Sequence, residues 1–415
     1  MKRNLRRRSR VRMVFAFLMC CFLMPASVNA FDFGLLLNQT LGFDGEDTEY
    51  EAALIPRFSA LLGDYGSLYL SASVKAAYRN EQWNIVPELL RNEFSWRFGG
   101  STDLSLGRMI YTDPMNLIAA GLFDGVRLSR HTVRGTFGAG VWYTGLLYKN
   151  RANIAMTDDD IASINTPFDW DDFANTYFAS RRLMAALYWN HPSLADLFQF
   201  NIAMIGQMDL NDRYLAYHSQ YLVMTITVPF PRFIFELGGA AEMARQIMGN
   251  ESAFYTAFAA DLGLHWIPPA PFHSMLSLTG RFTSGRAESG PMSAFTPITA
   301  LSYGNILNAE IPGLSILSLN YMARLHHTFS AGFSASHFVR SDLGTFVAFP
   351  VGYGGSAGAA NYFLGTEFFG RLMWSPLADI RMNLGGGIFL PSLGNVAPGA
   401  APRWRVEMAV TVSLL

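Results

Sequence analysis

Residues 403–415 read Arg403-Trp404-Arg405-Val406-Glu407-Met408-Ala409-Val410-Thr411-Val412-Ser413-Leu414-Leu415. Every even position from Trp404 to Leu414 is apolar, and Arg405, Glu407, Ala409, Thr411 and Ser413 between them are polar or small. Successive side chains of a strand point to opposite faces, so this segment is a strand with one face suited to hydrocarbon and the other to water. Strands of soluble sheets run to about 5–6 residues, whereas a strand that crosses a bilayer needs about 9–11. The segment has the second length. A terminal strand of this kind is also the element by which a barrel-assembly machinery would be engaged.

The alternation recurs upstream. Leu68, Leu70, Ala72, Val74, Ala76 and Tyr78 alternate with Ser67, Ser71, Ser73, Lys75 and Arg79; Phe198, Phe200, Ile202 and Met204 alternate with Gln199 and Asn201. Leu317, Leu319, Tyr321, Ala323 and Leu325 form a third such set, opposite Ser318, Asn320, Arg324 and His326. Short Gly- or Pro-bearing links fall at Gly63–Gly66, Gly99-Gly100, His131–Arg134, His191–Asp196, Pro229–Pro231, Pro268–Phe272, Ile311–Gly313 and Ser375–Asp379. Other connections, several of them long, fall between these, including Tyr111–Phe123, Lys149–Ala174, Gly285–Ala294, Arg340–Ala360 and Pro391–Pro402. The spacing predicts an all-β, antiparallel up-and-down transmembrane barrel of about 18 strands, with tight turns at one end and long loops at the other. Sixteen strands result if Phe33–Phe43 is an arm outside the barrel and one further pair is misread. Tyr78, Trp96, Tyr143, Trp189, Trp266 and Trp374, near strand ends, are candidates for interfacial aromatic belts.

Composition agrees. The 415-residue chain is 50% hydrophobic with only 15% charged residues, against about 25% in ordinary soluble domains. Disorder and a polybasic nucleic-acid binder are excluded. A helical membrane protein would show apolar runs of roughly 18 or more residues. After the first thirty residues the richest stretch, Tyr221 to Leu237, is broken by Pro229, Pro231 and Arg232. A soluble β-sandwich is the competing architecture; the strand lengths and the small, polar second face argue against it.

The N-terminus has the form of a secretory signal: seven basic residues by Arg12, an apolar stretch from Val14 to Met24, then Pro25 and Val28-Asn29-Ala30. Residues 1–30 are expected to be a signal peptide and 31–415 the barrel, placed in the outer membrane of a diderm bacterium with its lipid as surroundings. Residues 1–30 hold seven of the 31 basic residues and none of the 32 acidic ones, so the mature chain carries a formal charge of −8. Cys20 and Cys21 leave with the signal, which excludes a disulfide framework, a thiol catalyst and a Cys-bound metal. Lys75 and Lys149 are the two mature lysines; the other bases are arginines, whose planar fork suits carboxylate recognition in a confined polar lumen.

With register fixed by the apolar face, Arg91, Arg97, Arg127, Arg182, Arg281, Arg324, Arg371, Arg381 and Arg405 point inward, as do Glu93, Asp103, Glu236, Asp261, Glu367 and Glu407. Arg91 with Glu93, Glu367 with Arg371, and Arg97 with Asp103 are expected to pair. One reading of this wall is a set of structural ion-pair ladders. The other is a surplus of arginine around a constriction that favours anionic or hydroxyl-rich solutes.

Leu104-Ser105-Leu106-Gly107-Arg108-Met109-Ile110-Tyr111, followed by Gly121-Leu122-Phe123-Asp124-Gly125-Val126-Arg127-Leu128, resembles the strand, inward loop and second strand of the alginate-export and related outer-membrane porin families. That resemblance, over residues 104–128, implies an 18-stranded barrel with an arginine-lined pore for anionic polysaccharide or small solutes, and adds Arg108 to Arg127 as a pore candidate. Between the two strands lie Asp113, Met115, Asn116, Leu117 and Ile118. The segment is apolar enough to fold inward as a constriction loop, and equally compatible with a surface loop.

Other features carry less chemistry. Asp158-Asp159-Asp160 and Asp169-Trp170-Asp171-Asp172 lack the spacing of a calcium loop, so a solvated acidic surface loop is expected and no metal or other cofactor is assigned. Gly352, Gly354, Gly355 and Gly358 follow no strand-to-helix context. His326 and His327, expected on opposite strand faces, form no catalytic constellation, so no enzyme is expected. The sequence favours a passive channel for small hydrophilic solutes, anions included. A structural or adhesive barrel with a plugged lumen and an exporter of anionic polymer are the alternatives.

Overall fold

The computed structural model describes residues 28–45, 47–79, 82–211, 215–269, 272–285, 292–310, 312–341 and 361–414. Most of the signal segment, with Cys20 and Cys21, and the glycine-rich stretch 352–358 lie outside the described residues.

Eighteen antiparallel strands close into one barrel. In chain order they are β1 (Val28–Phe43), β2 (Thr48–Leu62), β3 (Gly66–Arg79), β4 (Gln82–Phe98), β5 (Thr102–Thr112), β6 (Ala120–Thr132), β7 (Gly135–Tyr143), β8 (Arg182–Leu194) and β9 (Phe198–Asp209). The second half comprises β10 (Leu215–Pro229), β11 (Phe233–Met248), β12 (Glu251–Trp266), β13 (His273–Thr283), β14 (Leu314–His326), β15 (Phe329–Arg340), β16 (Phe363–Leu377), β17 (Ile380–Leu390) and β18 (Arg403–Leu414). Each pairs with its chain neighbour, and β1 closes the barrel on β18 from Leu35↔Leu414 to Phe43↔Val406. That double pairing rules out Phe33–Phe43 as a free arm, and with it the 16-strand alternative.

Period two decides which side chains meet lipid. Trp404, Val406, Met408 and Leu414 are exposed on the outside of β18, as are Leu317, Leu319 and Tyr321 on β14 and Leu183 and Leu187 on β8. Aromatics gather at both ends of the strands. Phe94, Trp96 and Phe98, and Phe137, Trp189 and Phe200, form chains of ring contacts at the short-turn end; Tyr50, Trp83 and Tyr78, and Phe43 with Trp404, do so at the loop end. Such belts mark the two water interfaces of a membrane barrel.

Two expected boundaries are overturned, and they cancel in the strand count. The link at Ile311–Gly313 does not join two barrel strands: Ile311 lies outside the described residues, and 284–285, 292–310 and 312–313 around it contribute only a small hairpin of Ser302–Tyr303 against Ala309–Glu310. In compensation, the run from Leu314 to Arg340 is a hairpin rather than one strand, turning at His327–Thr328. That turn carries neither Gly nor Pro, so turn chemistry gave no sign of it. The same turn brings the rings of His326 and His327 to 3.9 Å between centroids, not to opposite faces.

A bulge shifts the pattern on β4. Ser71 pairs with Arg91 and Ala72 with Leu89, leaving Leu90 extra. The extra residue changes parity, so Glu88 above the bulge and Glu93 below it are both buried on the inner face.

The outer face predicts the response to charge. Leu319→Arg on β14 is expected to destabilise the folded barrel by about 2–4 kcal/mol, as for cations near the bilayer midplane. Asn320→Arg, one residue along on the lumen face, is expected to cost less than about 1 kcal/mol. Urea titration of refolding into lipid vesicles measures both.

Candidate functional site

Three loops from the long-loop end turn into the barrel. The first, residues 113–119 between β5 and β6, is wound around one carboxylate. Asp113 Oδ1 accepts the N–H of Met115 at 2.9 Å, and Oδ2 accepts those of Leu117, Ile118 and Ala119 at 3.0, 2.8 and 2.9 Å. Asn116 takes a left-handed conformation at φ 50° to close the turn, with its N–H on the Asp113 carbonyl. Burial pushes the Asp113 carboxyl up from its ordinary range, while the four N–H donors pull the other way. Met115, Leu117 and Ile118 are buried. The loop crosses to the far wall, where Met115 lies over Gly238 of β11; a Cβ at that position would come within 3.2 Å of Met115 Cγ. Of the two readings left open by the sequence, the structure selects the inward one.

The second loop, residues 144–181, contains three short helices, α1 (Lys149–Ala152), α2 (Asp158–Asn165) and α3 (Phe173–Thr176). The expectation of a solvated acidic surface loop is corrected here for Asp160. Thr157 and Asp160 form a capping box at the start of α2. Asp160 also accepts from Arg182 of β8 at 2.5 Å, and Arg182 reaches Asp209 at 3.2 Å, with Arg182 and Asp160 having 0% side-chain exposure. Tyr217 O accepts a further bond from the same guanidinium at 3.0 Å. Lys149 is buried and donates to Thr166 O at 2.6 Å; loss of hydration lowers its pKa from the usual lysine range.

The third loop, between β13 and β14 and described at 284–285, 292–310 and 312–313, is clamped from two sides. On β11, Glu242 accepts the N–H of Thr296 at 2.8 Å and the hydroxyl of Tyr217 at 2.8 Å. On β16, Glu367 accepts the N–H groups of Asn305, Ile306 and Leu307 at 2.7, 2.9 and 3.0 Å. Ile118 O, in the first loop, accepts from Ile298 at 2.8 Å and Thr299 at 3.1 Å, and Asn153 O, in the second, accepts from Ala300 at 2.7 Å. All three loops therefore form one body inside the barrel. It packs on small or apolar lumen residues, among them Ala186, Ala203, Ala240, Ala244 and Ala257.

The remaining lumen wall, from β16 through β18 to β1–β6, carries the bases. Glu407 contacts Arg371 and Arg405, both at 3.5 Å; Glu49 contacts Arg405 at 3.2 Å and Arg79 at 3.3 Å. Glu93 contacts Arg91 at 2.5 Å and Arg127 at 3.7 Å. Lys75 pairs with Glu51, and Arg57 donates to Ser413. Arg371 keeps 46% of its side chain exposed, Arg91 33% and Arg127 30%. Arg97 pairs with Asp103 at 2.7 Å and Asp103 with His131 at 2.9 Å, near the short-turn end. Arg381 is exposed, and Arg324 donates to His327 O at the β14–β15 turn.

Several expected placements change. Glu367 does not pair with Arg371; it binds loop backbone, and Arg371 turns to Glu407. Arg281 pairs with Asp261 as the register implies, but also donates to Met115 O at 3.2 Å and to the Tyr303 hydroxyl, so it ties the first and third loops to the wall. Glu236 contacts His265 at 3.3 Å. Arg108 is not a lumen residue. It pairs in register with Asn92 and Asp124, on the parity of the lipid-facing Leu106 and Val126, and is 4% exposed. Glu49, Arg57, Arg79 and Glu242 were not singled out from sequence. Glu242 had a legible signal: it follows inward-facing Gly238 and Ala240, too small to fill a lumen. Among the described residues, no group of three or more His, Cys, Asp or Glu side chains is arranged to hold a metal ion.

The fold and its apolar exterior define a transmembrane β-barrel of outer-membrane type, and its lumen is narrowed by its own loops. No protein-family model and no curated protein matches the sequence. Solved structures do. Pseudomonas aeruginosa OccK5 (OpdH) superposes with a TM-score of 0.60 at 11% identity, covering 94% of this chain and 99% of that one. P. aeruginosa OccK2 (OpdF) in complex with glucuronate gives 0.59 at 11%, with 94% and 99% covered, and P. aeruginosa OprD gives 0.59 at 12%, with 94% and 96% covered. The chain thus shares the 18-stranded fold of these outer-membrane proteins.

The loop architecture predicts a specific weakness. Asp113→Ala strips four buried N–H groups of their acceptor and is expected to cost about 2–4 kcal/mol, lowering the midpoint of thermal unfolding followed by tryptophan fluorescence. It is also expected to open residues 113–119 to protease, which mass spectrometry of the fragments detects.

Proposed function

We propose that this protein is an outer-membrane channel for passive diffusion of small hydrophilic solutes, with a preference for anions. The observation that carries the reading is the division of the lumen: the loops pack mainly against its apolar half and leave the arginines of the other half partly exposed. Along that half each of Glu407, Glu49 and Glu93 is shared between two bases. Five arginines thus face three carboxylates, and the path is net positive although the mature chain is net negative. Arginine forks spaced along it would hand a carboxylate or phosphate from one site to the next, each contact weak enough to release. The glucuronate complex of OccK2 (OpdF) is consistent with a barrel of this fold passing a small sugar acid.

The remaining expectations belong to the same proposal. Cleavage after Ala30 would start the mature chain at Phe31, within β1, and the barrel-assembly machinery would engage β18. Polymer export, implied by the resemblance at 104–128, would require the joined loops to leave the lumen together. Their clamps on β8, β11 and β16 favour small solutes. A channel of this kind performs no chemistry on its substrate.

Planar-bilayer recording tests the proposal. The refolded protein is expected to give discrete conductance steps with an anion-selective reversal potential in a KCl gradient, weakening as salt screens the wall. Arg371→Glu with Arg405→Glu is expected to shift selectivity toward cations while circular dichroism stays unchanged. A folded barrel with no conductance would favour the plugged structural or adhesive alternative.

A further inference from the structure

The barrel wall is not uniformly laddered. Strands β4 and β5 pair from Phe98↔Thr102 only as far as Asn92↔Arg108. Above that point, among the described residues, Gln82–Arg91 apart from the bulged Leu90 have a partner on β3 but none on the β5 side. The ladder ends at a built stop: Gly107 has φ +104°, a Cβ there would overlap the Asn92 carbonyl, and Asn92 Oδ1 takes the N–H of Arg108 at 2.5 Å. The open edge lies on the bilayer side of Trp83, which packs with Tyr50 and Tyr78 in the loop-end belt, and Ile85 beside it is 50% exposed.

Pro87 is suited to such an edge. The N–H and C=O of one strand residue point to the same side, and the Pro87 carbonyl accepts from Tyr177 Oη at 2.9 Å in the second loop. The donor that proline lacks is therefore missing from the unpaired side, where it costs no ladder bond.

The second loop closes the seam, and it does so through side chains. Tyr177 bonds to Pro87 O; Arg151 bonds to Glu88 at 3.0 and 3.2 Å. Arg108, buried on the outer face, donates to Leu89 O at 2.5 Å and to Leu146 O at 3.0 Å while pairing with Asp124 at 2.7 Å. Among the described residues, no backbone-to-backbone hydrogen bond joins Gln82–Arg91 to residues 144–181. Val86, Tyr148, Phe168 and Tyr177 fill the gap with an apolar, largely aromatic cluster separate from the main core. At its inner end Arg151 remains 45% exposed despite its bond to Glu88.

We propose that the β4–β5 seam is a lateral portal. Displacement of residues 144–181 opens it between the lumen and the outer leaflet, and its ligands are anionic amphiphiles: small molecules with an apolar body and a carboxylate or similar head. Aromatic faces receive the body, and Arg151 receives the head. At the seam opening breaks side-chain bonds only, and away from lipid the single backbone bond from Ala300 to Asn153, whereas parting any fully paired neighbours would strip a row of backbone groups in hydrocarbon. The portal goes beyond the channel reading: it requires a barrel in a membrane but no conducting lumen.

The test exploits the absence of cysteine from residues 31–415. Leu89→Cys with Leu146→Cys, whose carbonyls both accept from Arg108 across the seam and which leave Arg151 and the aromatic cluster in place, is reconstituted in phosphatidylcholine vesicles containing a diazirine-bearing decanoate, with and without closure by a bis-maleimide linker. Photolabelling is expected on residues 82–91 and 146–178, competed by plain decanoate, and reduced at least tenfold by the linker with conductance unchanged. Labelling confined to outward side chains around the whole barrel, or indifferent to the linker, overturns the portal. Conductance in the same vesicles keeps the two readings apart: a conducting barrel without seam labelling fails the portal alone, and a silent barrel with linker-sensitive labelling fails the channel alone.

Discussion

A backbone in hydrocarbon must satisfy its own hydrogen bonds, and the rest of this structure follows from that constraint. Closure of β1 on β18 removes the edges an open sheet would present to lipid. Where a ladder is incomplete, the exposed groups are met by other means. Tyr177 takes the Pro87 carbonyl and Arg108 takes that of Leu89, while proline deletes one donor outright. A charged pair such as Arg108–Asp124 on the lipid parity would otherwise be expensive. Its position beneath residues 144–147 and its bond to the Leu146 carbonyl give it a structural purpose there.

The lumen obeys a second version of the same rule. A loop folded into a barrel carries backbone N–H groups away from bulk water, and each inward loop meets this with a buried carboxylate. Asp113 serves its own loop, Asp160 caps α2 and binds Arg182, and Glu242 and Glu367 reach from the wall to the third loop. Two of the four come from the wall, so loop position is fixed by strand register rather than by loop sequence alone. Small lumen residues complete the arrangement: Gly238, Ala240 and Ala244 on β11 leave the volume that Met115 and its neighbours occupy.

Legibility in the sequence tracks how local the determining physics is. The face of each strand is written in its own alternation, so Trp404–Leu414 and Leu68–Tyr78 could be read directly. Turn chemistry is also local, and it failed where the turn used none, at His327–Thr328, or where Gly313 closed a loop instead of a hairpin. The bulge at Leu90 was invisible because the Leu89-Leu90 pair keeps an apolar residue on the outer face while the parity shifts. For the site, the ion pairs set by neighbouring register, such as Arg97 with Asp103 and Arg281 with Asp261, were within reach. The partners of Glu367, Asp160 and Glu242 were not, because they are backbone groups of loops distant in sequence, which alternation does not address.

The division of the lumen also separates two properties that a narrower pore would mix. The loop body is held mainly by β8, β10, β11, β13 and β16, whereas the shared-carboxylate arginines sit on β16, β18, β3, β4 and β6. Arg371 joins the two sets, donating to Asn305 Oδ1 of the third loop at 3.4 Å; charge at Arg405, Arg79, Arg91 and Arg127 can change without removing a clamp. Screening sharpens the point: with a Debye length of about 8 Å at physiological salt, a solute at the arginine wall of the proposed channel would feel the neighbouring guanidinium groups far more than the acidic residues of the outer loops. In the proposed channel arginine would suit this position better than lysine, since a guanidinium can hold Glu407 or Glu93 with part of its fork and would still present N–H donors to an anion.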